Sequence, residues 1–116
     1  WLEIGYASSG ALIANGTATD SIVFTTHTDG VFWGFDASDG GGLWVGSEAA
    51  GTTSFTYCII EKATSGVYLK KAATVKNCTI RNNEGFGIVI GSEGANANVS
   101  PDDINFSDNG SGNISL

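Results

Sequence analysis

The sequence predicts an all-β solenoid of parallel coils, about four or five of them in 116 residues. Three observations predict it. The first is a unit of apolar-x-apolar, polar turn, apolar-x-apolar that occurs three times, over residues 54–69, 77–90 and 104–116. Cys58 and Ile60 recur as Cys78 and Ile80 at a spacing of 20, and Val67 and Leu69 recur as Ile88 and Ile90 at 21. Ile80, Ile88 and Ile90 recur as Phe106, Ile114 and Leu116 at 26. The second is the join inside "NCTIRNNEGFGIVI" (77–90), which has no Asn-Gly hairpin pair, so each run is expected to pair in parallel with its equivalent one coil away. The third is composition: seventeen glycines and one proline, with many Thr, Ser and Asn, suit short strands and tight turns. No run has the i, i+3, i+4, i+7 spacing of an amphipathic helix.

From the N-terminus, residues 1–53 form the less regular part, read as N-terminal coils and a cap, with one clear strand over 22–26. Residues 54–116 carry the regular repeats, with strands expected over 56–60, 67–70, 77–81, 87–90, 104–107 and 113–116. Alternation then sorts the faces. Cys58, Ile60, Val67, Leu69, Cys78, Ile80, Ile88, Ile90, Ile104, Phe106, Ile114 and Leu116 are expected inside. Outward columns follow: Ile59, Thr79 and Asn105; Glu61, Arg81 and Ser107; Tyr68, Val89 and Ser115. Coils about 4.8 Å apart put Glu61 beside Arg81, as an exposed ion pair worth under ~1 kcal/mol.

"SFTYCIIEKATSGVYLKKAATVKNCTIRNNEGFGIVI" (54–90) resembles the right-handed parallel β-helix repeat of the pectate-lyase-like superfamily. Upstream, "GALIANGTATDSIVFTT" (10–26) is similar to the segment that introduces such repeats in large secreted and surface-attached bacterial proteins. Trp33-Gly34 or Trp44-Val45-Gly46 matches the step that follows it there. The resemblance implies a right-handed, single-stranded parallel β-helix and a secreted or cell-surface location. Because the repeat hosts many activities, it constrains function far less than fold. It also implies that Arg81, with Glu61 beside it, would be the catalytic base or sugar-carboxylate clamp if the chain were a lyase. The opening at Trp1 and the stop within the strand pattern "GNISL" are read as the ends of a fragment of a longer helix. Open ends of this kind predict end-to-end self-association, or capping by the aromatic N-terminal half.

Five Lys and Arg against twelve Asp and Glu give a net charge of −7, which argues against nucleic acid as a partner. No run of ~18 apolar residues is present, so no membrane span is expected. Oxygen ligands for Ca2+ would come from Asp36 and Asp39, Glu93, or Asp102 and Asp103, though none follows the twelve-residue calcium-loop pattern. Apart from that ion no cofactor is expected. Cys58 and Cys78 share an inward column, where free stacked thiols are the favoured reading and a disulfide the other. With the single His27 distant, they offer no zinc spacing.

Asn83 and Asn109 fall at one turn position and are expected to hydrogen-bond along the stack. Six Asn-x-Ser/Thr triplets begin at Asn15, Asn77, Asn98, Asn105, Asn109 and Asn113 and are read as turn chemistry. Trp1, Phe32, Trp33, Phe35 and Trp44 crowd the first half. Tyr68 and Trp44 are the expected exposed rings for carbohydrate. Two function classes remain: a noncatalytic extracellular scaffold, adhesive or weakly carbohydrate-binding, and a segment of a polysaccharide lyase or glycoside hydrolase acting on acidic polysaccharides. The first is favoured, and no catalytic residue is assigned.

Overall fold

Short runs of β-branched and aromatic residues between Gly-, Asn- and Ser-rich turns fold as up to three strands per coil. The computed structural model describes residues 1–35, 40–91 and 98–116. The first coil holds β1 (Leu2–Ile4), β2 (Ile13–Asn15) and β3 (Ile22–Phe24), and the second β4 (Leu43–Val45), β5 (Ser54–Thr56) and β6 (Cys58–Glu61). The third holds β7 (Val67–Leu69), β8 (Thr74–Lys76) and β9 (Thr79–Arg81). β10 (Phe86–Ile90) and β11 (Asn105–Ser107) belong to the fourth, and β12 (Gly112–Ser115) opens a fifth. Equivalent strands pair in parallel, giving the sheets β1-β4-β7-β10-β12, β3-β6-β9-β11 and β2-β5-β8. The bridge from Val75 to Val99 carries the third sheet one coil further. No helix among the described residues is long and apolar enough to cross a membrane.

Two expectations about strands need correction. The strands expected over 56–60 and 77–81 are each broken at a corner, where Tyr57 and Asn77 take φ of 51° and 53°. What precedes each corner belongs to a separate sheet, whose strands β5 and β8 the two-run repeat did not anticipate. A second left-handed column follows the next strand: Lys62, Asn82 and Asp108, at φ of 57°, 54° and 54°. Asn and Asp tolerate this region; Tyr57 and Lys62 adopt it at a steric cost that the surrounding hydrogen bonds offset. Those bonds run Ile22 N to Tyr57 O (3.2 Å) and Trp33 N to Lys62 O (2.9 Å).

Register stacks like on like inside. Leu43, Val67 and Ile88 form one inner column, Val45 and Leu69 another, and Phe55 and Val75 a third, all fully buried. Ile60 sits on Ile80, also fully buried. Each such side chain contributes roughly 1.5–3 kcal/mol by leaving water. Leu116 departs from the expected pattern. It is 93% exposed, past β12, the edge strand of its sheet among the described residues. Phe106 and Ile114, on the edge strands β11 and β12, are half-buried against the core, as is Ile90 at the end of β10.

The first coil differs in length. Paired positions Leu2 and Leu43 are 41 residues apart, against 24, 21 and 26 for the later steps of the same sheet. The long connection after β3 contributes Trp33, which bridges to Ala63 and packs against the core. That ring lies against Gly42 and Ala63 of the next coil and so joins the stack.

Candidate functional site

The corner that follows β6, β9 and β11 is the most elaborated outward feature of the described residues. Its floor is built from the second left-handed column and the residues after it. Asn83, nearly fully buried, receives the Ala63 N–H on its Oδ1 (2.9 Å) and donates from Nδ2 to Asn109 Oδ1 (2.8 Å). Asn109 Nδ2 donates in turn to the Ile80 carbonyl (3.0 Å). This is the expected asparagine stack, continuous across three coils. Backbone bonds from Glu84 N to Ala63 O (2.9 Å) and Gly110 N to Asn83 O (3.0 Å) lock the turns together. A Cβ on Gly110 would run into the Glu84 carbonyl, so the turns approach this closely only because that residue is glycine.

Over this floor stands the segment Asp29–Phe32 of the β3–β4 connection. It is held by Val31 N to Thr28 O (3.3 Å), while Trp33 is tied down by its Nε1 to Glu61 O (2.9 Å). Between floor and wall lies an open groove of about 500 Å³, lined among others by Asp29, Phe32, Lys62, Asn82, Glu84 and Asp108. Phe32 is 41% exposed. Glu61 and Arg81 form the single ion pair of the described residues, so the carboxylates of Asp29, Glu84 and Asp108 remain unneutralised. An exposed ring beside carboxylates and an amide on a fixed floor can hold a polyhydroxylated ligand, ring to sugar face and oxygen to hydroxyl. The sequence contained a sign of this site: Lys62, Asn82 and Asp108 share one position of the repeat. The wall left no such sign, because nothing local brings residues 29–32 to that corner.

The expected sugar-binding rings are in a different place and condition. Trp44 and Tyr68 are neighbours by register, packed edge-to-face at 5.7 Å. Phe35 stacks on Trp44 at 6.3 Å, Tyr6 lies 6.4 Å away, and Lys70 Nζ sits 5.4 Å from the Trp44 ring centre. Tyr68 is only 5% exposed. The expectation that Tyr68 faces solvent is therefore corrected, while Trp44 is half-buried: parallel stacking turns the two rings on one another. Trp1, edge-on to Phe35 at 5.1 Å, and Tyr6 are the exposed members of this cluster.

Glu61 and Arg81 meet as expected, with Arg81 Nε donating to Glu61 Oε2 at 2.8 Å. The Thr25 hydroxyl donates to Glu61 Oε1 at 3.1 Å. The Arg81 hydrogen bond lowers the Glu61 carboxyl below its ordinary value against its desolvation, and the Thr25 bond and the field of Lys62 add to the lowering. Its side chain is 14% exposed, that of Arg81 42%. Asp102 and Asp103 lie on the exposed 3-10 turn Pro101–Asp103. Asp36, Asp39 and Glu93 fall outside the described residues. Among the described residues no three His, Cys, Asp or Glu gather as a metal site.

Cys58 and Cys78 are free and buried, as favoured from the sequence. Each thiol donates to a carbonyl of the preceding coil, Cys58 to Ala14 O (3.2 Å) and Cys78 to Phe55 O (3.3 Å). The neighbouring Cys78 thiol, followed by burial, raises the Cys58 thiol above its ordinary range. Neither thiol faces the groove. His27 is exposed in the β3–β4 connection.

A family model described as the right handed beta helix region matches residues 41–116. No curated protein and no solved structure matches the chain.

Proposed function

The chain belongs to the right-handed β-helix family, and we propose that it is a noncatalytic scaffold, secreted or displayed at a cell surface, that holds a saccharide weakly in its corner groove. The observation that carries the noncatalytic reading is the 2.8 Å bond from Arg81 to Glu61. An arginine paired to a carboxylate stays protonated and is a poor base for abstracting a proton from a sugar. The groove supports the binding half, since the turns of its floor are held by backbone and Asn–Asn bonds before any ligand arrives. A net charge of −7 supports a partner other than nucleic acid. It also disfavours strong attraction to acidic polymers.

The test is incubation with a pectin-like and an alginate-like polymer, with and without calcium, followed by absorbance of unsaturated products. The expected result is no product above buffer in either condition. Product that disappears in Arg81→Ala would replace this reading with the alternative, a segment of a lyase acting on acidic polysaccharides.

A further inference from the structure

We infer that the corner groove selects saccharides bearing a free amine, such as glucosamine oligomers, over neutral and uronic-acid ones; the inference rests on the saccharide reading above. Charge is the first argument. Three carboxylates line the groove against one ammonium, Lys62, and none of the three is drawn into an ion pair. An ammonium group entering there gains charge-assisted hydrogen bonds that a hydroxyl or acetamide cannot make. A uronate would bring a fourth carboxylate into the same space.

Shape is the second. The groove is open, about 500 Å³, and carries an exposed phenyl ring, Phe32, as an apolar platform for the C–H face of a pyranose. It follows a corner of the coil and not the edge of a sheet. A basic peptide would therefore find no strand to add to and would lose the main-chain bonds by which extended peptides gain affinity. Rigidity is the third. Asp108 and Asn82 sit in one left-handed column, and Glu84 is tied by its N–H to Ala63 O. The backbone of the floor that carries Glu84 and Asp108 is thus set before binding.

The test is calorimetry of the whole chain against four probes in a mildly acidic, low-salt buffer: a glucosamine tetramer, its N-acetylated counterpart, a galacturonate tetramer and tetralysine. The glucosamine tetramer is expected to bind about tenfold more tightly than the acetylated one, the scale of one charge-assisted hydrogen bond. That preference should vanish in the Asp29→Asn, Glu84→Gln, Asp108→Asn triple variant, while weak binding of the acetylated tetramer persists and shows that the variant is folded. Phe32→Ala should weaken both sugars alike. Equal binding of the free and acetylated tetramers overturns the amine selectivity and leaves the saccharide reading standing. Failure of every sugar to bind overturns both. Tetralysine binding more tightly than the glucosamine tetramer reassigns the groove to basic peptides and overturns the inference.

Discussion

Two outward regions of this β-helix carry aromatic rings, and they use them in opposite ways. On the five-stranded sheet, in-register stacking brings Trp44 against Tyr68, and Phe35 stacks on Trp44, so these rings pack on one another. At the corner, Phe32 stands on a loop that leaves the coil, lines a groove and stays exposed. An outward position in a parallel stack is thus not the same as an accessible one. Neighbours about 4.8 Å away along the sheet cover Tyr68 on both sides, while Phe32, carried off the stack by an insertion, stays open.

The largest effect that would break this contrast is on stability. Trp44→Ala removes the centre of the aromatic cluster and should lower unfolding free energy by about 2–4 kcal/mol, with saccharide binding unchanged. Phe32→Ala should do the reverse, leaving the denaturant midpoint in place and weakening binding several-fold. Equal effects of the two substitutions on both readouts would erase the distinction between the regions.

Next in size is the groove floor. Asn83→Ala strands the Ala63 N–H and removes the side-chain donor to Asn109 Oδ1, at about 1–3 kcal/mol, the penalty for an unpaired buried group. Hydrogen exchange at Ala63 should quicken in this variant. An unchanged exchange rate would mean the asparagine stack does not hold the corner.

The smallest effect concerns the Glu61 column. Because Arg81 lowers the folded carboxyl below its ordinary value near 4.5, the stability it adds is present above about pH 4.5 and is lost as pH falls through the folded value. Glu61→Gln should therefore cost under ~1 kcal/mol at neutral pH and nothing in strong acid. A cost that grows as pH falls would contradict the pairing.

The solenoid was legible because Cys58, Ile60, Val67 and Leu69 recur at nearly constant spacing, and a period of this kind has only one way to bury its apolar face. The same spacing revealed Glu61 beside Arg81, Cys58 beside Cys78, and Asn83 beside Asn109. It did not reveal β5 and β8. Their inward residues, Phe55 and Val75, stand one per strand, and the left-handed corners at Tyr57 and Asn77 shift the alternation between sheets. β1 and β4 escaped because 41 residues separate their partners. The groove was half legible: its floor is periodic, while its wall comes from the long connection of the first coil, whose docking no local pattern records. Tyr68 was misread because parity indicates direction and not what lies beside the ring.

The most direct test of the account is an NMR titration of the assigned chain with a glucosamine tetramer. The account predicts that amide shifts concentrate at Asp29–Phe32, Asn82–Glu84 and Asp108–Gly110, with Trp44, Tyr68 and Arg81 unmoved. Shifts centred on Trp44 and Tyr68, or on the Glu61 and Arg81 column, would contradict it.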